Sequence, residues 1–402
     1  MSSDDREYHW ARHLDSMEGL PPVTEVADFH ERKGPRKYVL FGKFAWLGEM
    51  LPGIALALAL AACGKGLSVW IGEGWLGFQK SPLSEIMVAI LLGLLIRNTL
   101  GLPSVYSPGL QLCLKKILRI GIALLGIRLS LMAAGKIGLV GLPVVLGCIV
   151  SALFIVSWIN NRLGLPRRLG TLIAVGTSIC GASAIVATAP VIKAKDDEVS
   201  YAVACITLFG MVSMLLYPFC AHWLFDGNAQ LAGIFLGTSI HDTAQVAGAG
   251  LIYQQQYDAA AALDAATVTK LVRNLFMAVV IPLVAVHYYR GHEKSGVPKQ
   301  KWHTIVPLFV VGFLVMIVIR TLGDIGDRPF GLLTAGQWEA SVDVVKQASK
   351  WCLIVAMASI GLGTDLSRMK NIGLKPLMVG LSAAVLVGGV SLGLITLLGS
   401  LL

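Results

Sequence analysis

Apolar runs follow one another along the chain after a polar N-terminal stretch. A helix needs about 17–25 mostly apolar residues to cross a bilayer, and about eleven windows meet this condition with soft boundaries. Polar residues interrupt the fifth and seventh windows. The windows are 44–63, 83–96, 117–134, 138–160, 170–192, 199–223, 230–252, 266–288, 304–320, 344–363 and 376–399. The pattern predicts an all-α polytopic membrane protein with a transmembrane transporter domain over residues 44–402.

Residues 1–43 are polar and mixed in charge, and they contain neither an apolar core nor a small-residue cleavage site. They are therefore predicted to be a cytosolic tail rather than a signal peptide. With the tail in the cytosol, the connections on the same side carry most of the Lys and Arg residues between windows. Because cytoplasmic loops of membrane proteins are rich in Lys and Arg, the sequence predicts a multi-pass protein with a cytosolic N-terminus.

Composition excludes a soluble protein. The chain is 55% hydrophobic and 14% charged, whereas soluble domains carry about 25% charged residues. Basic cytoplasmic loops account for the net charge of +9, so a nucleic-acid partner is not expected. The seven cysteines form no CxxC pair, which argues against a disulfide framework or a zinc site. We expect neither a metal nor a cofactor.

Two similar polar runs lie inside apolar windows: GTSICGASAI from Gly176 to Ile185 and GTSIHDTAQV from Gly237 to Val246. Unpaired backbone is costly in hydrocarbon unless protein or a water-filled cavity satisfies it, and broken helices of this kind form the substrate sites of secondary transporters. The first run suits an anion bound by amides and hydroxyls, although close helix packing through small residues is the structural alternative. The predicted substrate-binding residues are Thr177, Ser178, Cys180, Gly181, Ser183, Thr238, Ser239, His241, Arg273 and Asn274.

Ionisable residues in and after the second run are candidates for ion coupling. They are costly inside a span, and histidine titrates near physiological pH. A structural His241–Asp242 hydrogen bond is the alternative. Arg273 could grip an oxyanion through two parallel hydrogen bonds, snorkel to the interface or pair with Asp242. The predicted coupling residues are His241, Asp242, Thr243, Gln245 and Lys270.

The chain also shows internal repeats. LGIRLS (125–130) and LGTDLS (362–367) end predicted spans of opposite orientation, which predicts an inverted repeat unless the match is coincidence. The two GTSI runs have only one predicted helix between them, so both would run in the same direction. Either one copy is re-entrant or the span count is off by one.

Three runs together, GTSICGASAI with the following KAKDDEVSYAV, GTSIHDTAQVAGAG and TKLVRN, resemble the YeiH-type family of proposed sulfate exporters. The resemblance covers roughly residues 44–400. It implies a carrier of the bacterial inner membrane, related to sodium/proton antiporters and bile-acid/sodium symporters. It further implies inverted repeats, two interrupted helices at the centre, a core that moves against a scaffold, and a homodimer.

We therefore expect a secondary active transporter that exports a small anion, such as sulfate, sulfite or an organosulfonate, by alternating access coupled to a proton or sodium. The chain contains no GxxxxGK[ST] motif for ATP. The alternatives are a cation/proton antiporter using His241 and Asp242, a passive channel, and an intramembrane enzyme. The chain contains no HExxH motif. Cys180 and His241 could in principle form a thiol–imidazole pair, but no catalytic residue is predicted.

Overall fold

The structure is a computed structural model that describes residues 42–75, 81, 83–289, 308–325, 329–331, 333–369 and 374–398. The predicted cytosolic tail lies outside the described residues except at its junction with the first helix. Within the described ranges the chain is helical and contains no β-strand, as the apolar windows predicted.

The helices are numbered in chain order. π-Helical turns extend α1 and join α3 to α4 and α5 to α6. The bounds are α1 (Gly42–Val69), α2 (Glu85–Thr99), α3 (Ser107–Leu112), α4 (Leu118–Leu125), α5 (Leu131–Ser151), α6 (Ser157–Arg162), α7 (Arg167–Ser178), α8 (Ala182–Thr188), α9 (Asp196–Leu224), α10 (Ala229–Ser239), α11 (Thr243–Tyr257), α12 (Ala260–Leu275), α13 (Met277–Tyr289), α14 (Leu308–Gly323), α15 (Ala335–Gly363), α16 (Leu366–Met369) and α17 (Leu374–Leu398).

Five helical stretches in the described part of the chain are long and apolar enough to cross a membrane, and α14 is a shorter apolar helix. The five are Gly48–Gly72, Leu131–Arg162, Asp196–Leu224, Ala260–Tyr288 and Lys375–Leu398. The chain is therefore a helical membrane protein, and the count of eleven spans stays a prediction.

One predicted boundary is wrong. The windows 117–134 and 138–160 put a connection near residue 136, but the helix break lies at Leu129 and Ser130. The Ser130 hydroxyl accepts a hydrogen bond from the Ala133 amide at 3.3 Å and so caps α5. The LGIRLS run (125–130) already placed the end of a span here, but the hydropathy window ran on to residue 134 because apolar residues follow Ser130.

The chain divides into two compact units. The first contains residues up to Leu118 together with Ile354–Asn371, and the second contains Arg119–Leu353 and Ile372–Leu402. In the first unit α1 packs on α2 and α3, and Arg97 pairs with Asp365 at 3.2 Å. Both GTSI runs belong to the second unit.

The second interrupted segment, α10 followed by α11, is a helical hairpin. Its direction is defined by α12, which packs against both halves. The close approaches join Gly233 to Ala265 and Gly237 to Thr269 for α10, and Gly250 to Leu263 and Thr243 to Asn274 for α11. Going along α10, the contacted residues of α12 rise in number, so these two helices are parallel. Going along α11, the contacted residues of α12 fall in number, so these two helices are antiparallel. The chain therefore turns back on itself at residues 240–242.

Helix α9 lies beside this hairpin and runs in the same direction as α11. Near the turn, Gln245 Nε2 donates to the Thr207 carbonyl at 3.2 Å. Near the outer ends, the His222 ring stacks on Tyr257 with centroids 3.6 Å apart. Only a short turn separates α9 from α10, so the second hairpin enters and leaves at the C-terminal end of α9.

The first interrupted segment, α7 followed by α8, also reverses. Gly181, in the turn, has φ 73° and ψ −128°, a conformation essentially restricted to glycine. Its amide donates to the Gly176 carbonyl at 2.9 Å. A Cβ atom on Gly176 would lie 2.8 Å from the Ile185 side chain. Helix α8 therefore folds back beside the end of α7.

Both ends of the first hairpin lie at the N-terminal end of α9. At the start of α7, the Arg167 guanidinium is 3.0 Å from His287 Nε2, near the C-terminal end of α13. Helices α12 and α13 form one span, which runs opposite to α11 and hence opposite to α9. The C-terminal end of α13 therefore lies at the same end of the second unit as the N-terminal end of α9. Helix α8 packs on α13 and reaches α9 through residues 189–195 alone.

The two hairpins enter the second unit from opposite ends and meet at their turns. A Cβ atom on Gly181 would lie 3.1 Å from Asp242 Oδ2. The expectation that both GTSI runs follow the same direction is wrong, because both copies are re-entrant and point toward each other. The wider inverted repeat suggested by LGIRLS and LGTDLS stays a prediction.

Candidate substrate site

Arg273 of α12 binds the ends of both hairpins. Its Nε donates to the Ser178 carbonyl at 2.7 Å, and one terminal nitrogen donates to the Thr238 carbonyl at 2.6 Å and the Ile240 carbonyl at 3.3 Å. The other terminal nitrogen donates to the Thr177 carbonyl. Because the last carbonyls of a helix have no partner within it, one guanidinium caps the C-terminal ends of α7 and α10.

Lys270 lies one turn before Arg273 on α12 and caps only the second hairpin. Its Nζ donates to the Ile240 carbonyl at 2.8 Å and to the His241 carbonyl. Both cationic side chains are fully buried, where an uncompensated charge would be very costly. The partial negative charge at helix C-terminal ends provides part of the compensation.

Asp242 and Gln245, two of the predicted coupling residues, cap the start of α11. Asp242 Oδ1 accepts from the Ala244 amide at 2.8 Å, and Gln245 Oε1 accepts from the Asp242 amide at 3.3 Å. This reciprocal pattern is a capping box. Thr243 Oγ1 accepts from Asn274 Nδ2 at 3.1 Å, which ties the turn to α12.

Three predicted hydroxyls bond within their own helices. Ser178 donates to the Val175 carbonyl at 3.0 Å, and Ser239 donates to the Phe235 carbonyl at 2.5 Å. Thr238 donates to the Ile234 carbonyl at 2.8 Å. These bonds satisfy the hydroxyls locally, so each could bind a ligand only as an acceptor or after rotation.

Other predicted polar groups are buried without any hydrogen-bond partner among the described residues. They are Thr177 Oγ1, both ring nitrogens of His241, and Asn274 Oδ1. Thr177 and His241 are fully buried, and their carbonyls bond to Arg273 and Lys270 respectively. The alternative of a structural His241–Asp242 hydrogen bond is therefore not what the structure contains. Buried polar groups without partners are rare and indicate ligand-binding capacity here.

The remaining predicted residues belong to the first hairpin. The Cys180 thiol lies 4.0 Å from the Met277 sulfur, and it does not bond to His241, whose ring has no partner in the described chain. Ser183 is half-buried on α8. Gly181 forms the reversal itself.

Two residues near the hairpin turns were missed by sequence reasoning. Ser391 of α17 is fully buried and shares a 2.6 Å hydrogen bond with the Thr238 hydroxyl. Thr269 is fully buried beside Lys270, and its hydroxyl has no partner in the described part of the chain. A lone Ser or Thr in an apolar helix is a weak signal, because such hydroxyls commonly bond to their own helix.

The fold and the site define a class: a helical membrane protein in which two opposed re-entrant hairpins meet beside buried cationic side chains. The chain belongs to the family described as conserved hypothetical protein 698, whose model matches residues 52–380. The resemblance to the YeiH-type family is thereby confirmed.

Curated relatives cover most of the chain. The UPF0324 membrane protein Atu0671 of Agrobacterium fabrum is 36% identical over 360 residues, covering 88% of this chain and 94% of the relative. The UPF0324 inner membrane protein YeiH of Salmonella typhimurium is 30% identical over 351 residues, with 85% and 93% covered. A UPF0324 membrane protein of Fusobacterium nucleatum is 30% identical over 357 residues, with 88% and 99% covered. These names identify membrane proteins and give no substrate.

Proposed function

We propose that the protein is a secondary active transporter that exports a small oxyanion, such as sulfate, sulfite or an organosulfonate, by alternating access. One observation carries the proposal: two re-entrant hairpins from opposite ends meet at the buried Arg273 and Lys270. In secondary transporters, broken helices of this kind meet near the bilayer midplane and form the substrate site.

The charge at the turns supports an anionic substrate. Arg273 and Lys270 are two fully buried basic side chains, and Asp242 is the carboxylate at the same turn. The Arg273 guanidinium is engaged by carbonyls, so it attracts the anion through its field, while the Thr177 hydroxyl and the His241 ring supply donors. Intramembrane ionisable groups commonly mark substrate or ion pathways.

The proposal is tested by thermal unfolding of the purified full-length protein with sulfate, sulfite, thiosulfate, taurine or chloride. A ligand at about 100 times its Kd stabilises a protein by roughly 2.7 kcal/mol. We expect an oxyanion to raise the Tm of the wild type. Thr177→Val removes a buried hydroxyl that has no partner in the described chain, so we expect an unchanged Tm without ligand and a lost oxyanion shift.

The matched control is Thr188→Val in the same hairpin. Thr188 is also fully buried, but its hydroxyl donates to the Ala184 carbonyl at 2.7 Å, so the oxyanion shift should survive. No shift with any anion, together with proteoliposomes that retain labelled sulfate and sulfite under every imposed gradient, would contradict the proposal. A shift caused only by sodium or pH, and lost in Asp242→Asn, would favour cation/proton antiport.

A further inference from the structure

Backbone carbonyls gather where the two hairpins meet. They come from the C-terminal ends of α7 and α10, and all accept hydrogen bonds: Thr177, Ser178, Thr238, Ile240 and His241. In secondary transporters, unwound carbonyls and the C-terminal ends of half-helices coordinate sodium. Helix C-terminal ends carry partial negative charge, so this group of carbonyls favours a cation.

The protein supplies that cation from outside both hairpins. Among the described residues, every side-chain bond to these carbonyls comes from Lys270 or Arg273. Both side chains project from one turn of α12 and are fully buried, so bulk water does not screen them. The nearby Asp242 Oδ1 accepts from the Ala244 amide at the start of α11, which leaves the helix-end carbonyls as the direct partners of the two cations.

We infer that Lys270 and Arg273 are built-in cations in a carbonyl site of the type that binds sodium in other carriers, and that oxyanion binding at the hairpin turns therefore does not require sodium. The first part rests on geometry alone, and the second part rests on the proposed transport function. The sequence left a proton and sodium open as coupling ions, and a built-in cation leaves the proton as the coupling ion.

The test compares Tm values in sodium chloride and in choline chloride at equal ionic strength, using the purified full-length protein. The wild type should show the same Tm in both salts. Lys270→Ala removes the partner of the His241 carbonyl and leaves the Ile240 carbonyl with only its longer bond from Arg273, so sodium or ethylammonium should raise its Tm by about 2 °C or more relative to choline. Lys270→Arg keeps a tethered cation and should show the same Tm in both salts.

A wild-type Tm that rises specifically with sodium would overturn the inference, and so would a Lys270→Ala protein that responds to neither sodium nor ethylammonium. If Lys270→Ala does not fold, the Tm shift that an oxyanion causes in the wild type is compared in the two salts. An equal Tm shift in both salts supports the inference. A Tm shift that requires sodium overturns it. Absence of any oxyanion shift contradicts the proposed function instead, and the wild-type salt comparison still decides the first part.

Discussion

At the scale of single residues, two positions define the meeting point of the hairpins. Gly181 allows the first hairpin to reverse, because its backbone lies at φ 73°, where a side chain would also meet Asp242. Arg273 bonds to carbonyls of both hairpins at once. A lysine at this position could not bond to both hairpins in the same way, because its ammonium is a compact point charge. The donors of a guanidinium diverge from a planar group.

Gly181→Ala should lower the unfolding free energy by about 1–3 kcal/mol, because alanine is strained at this φ and its Cβ would lie 3.1 Å from Asp242 Oδ2. The measurement is the Tm of the purified variant. Gly135→Ala is the control: Gly135 is exposed on α5 with nothing within 4 Å of an added Cβ, and alanine should stabilise that helix by up to about 1 kcal/mol. Equal Tm changes in the two variants would contradict a special role for Gly181.

At the scale of secondary-structure elements, each hairpin needs its broken ends satisfied by groups outside its own helical hydrogen bonds. The C-terminal ends of α7 and α10 are capped by α12, and the N-terminal end of α11 is capped by Asp242 and Gln245. The capping box links the turn to α9 through the bond from Gln245 to Thr207. These bonds explain how an interrupted helix can lie in the interior without exposing backbone to hydrocarbon.

Asp242→Asn and Asp242→Ala separate a capping role from an ion-coupling role. Asparagine caps a helix about as well as aspartate, whereas alanine at an N-cap costs roughly 0.5–2 kcal/mol. We expect Asp242→Asn to retain the Tm and the gradient-driven oxyanion flux in proteoliposomes, and Asp242→Ala to lower the Tm. Loss of flux in a stably folded Asp242→Asn protein would instead identify this carboxylate as a coupling group.

At the scale of the whole molecule, the opposed hairpins change which apolar windows are expected to cross the membrane. Windows 170–192 and 230–252 each contain a reversal, so we now predict that neither crosses the membrane, in contrast to the eleven crossings that the window count predicted. The ends of the first hairpin lie at the N-terminal end of α9 and those of the second at its C-terminal end. Two similar runs with a single span between them can therefore be inverted relative to each other.

Labelling of single cysteines in a cysteine-free background tests this arrangement in intact membranes. The exposed positions flanking the hairpins are Arg162 and Lys195 for the first, and Asp226 and Ala260 for the second. With re-entrant hairpins, Arg162→Cys and Lys195→Cys should react from one face, and Asp226→Cys and Ala260→Cys from the other. Opposite faces within either pair would mean that the segment crosses the membrane.

Sequence reasoning predicted the parts of this protein that depend on local composition. Apolar windows predicted the helical membrane domain, because a segment in hydrocarbon must satisfy its own backbone. Gly, Ser and Thr in two of those windows predicted the interruptions, and the motifs identified the family. The window 117–134 overran Ser130 because the four residues after it are apolar, although the LGIRLS run had placed the end of the span at residue 130.

Only the tertiary structure decided the direction of the chain after each break and the partners of the buried polar groups. Direction depends on the backbone angles of the turn and on which neighbouring helix receives the returning half, and neither is encoded in hydropathy. The partners of Arg273 are carbonyls far away in sequence, and every residue has a carbonyl. A sequence can therefore show that a buried arginine needs compensation, but only the packing of α7, α10 and α12 shows where that compensation comes from.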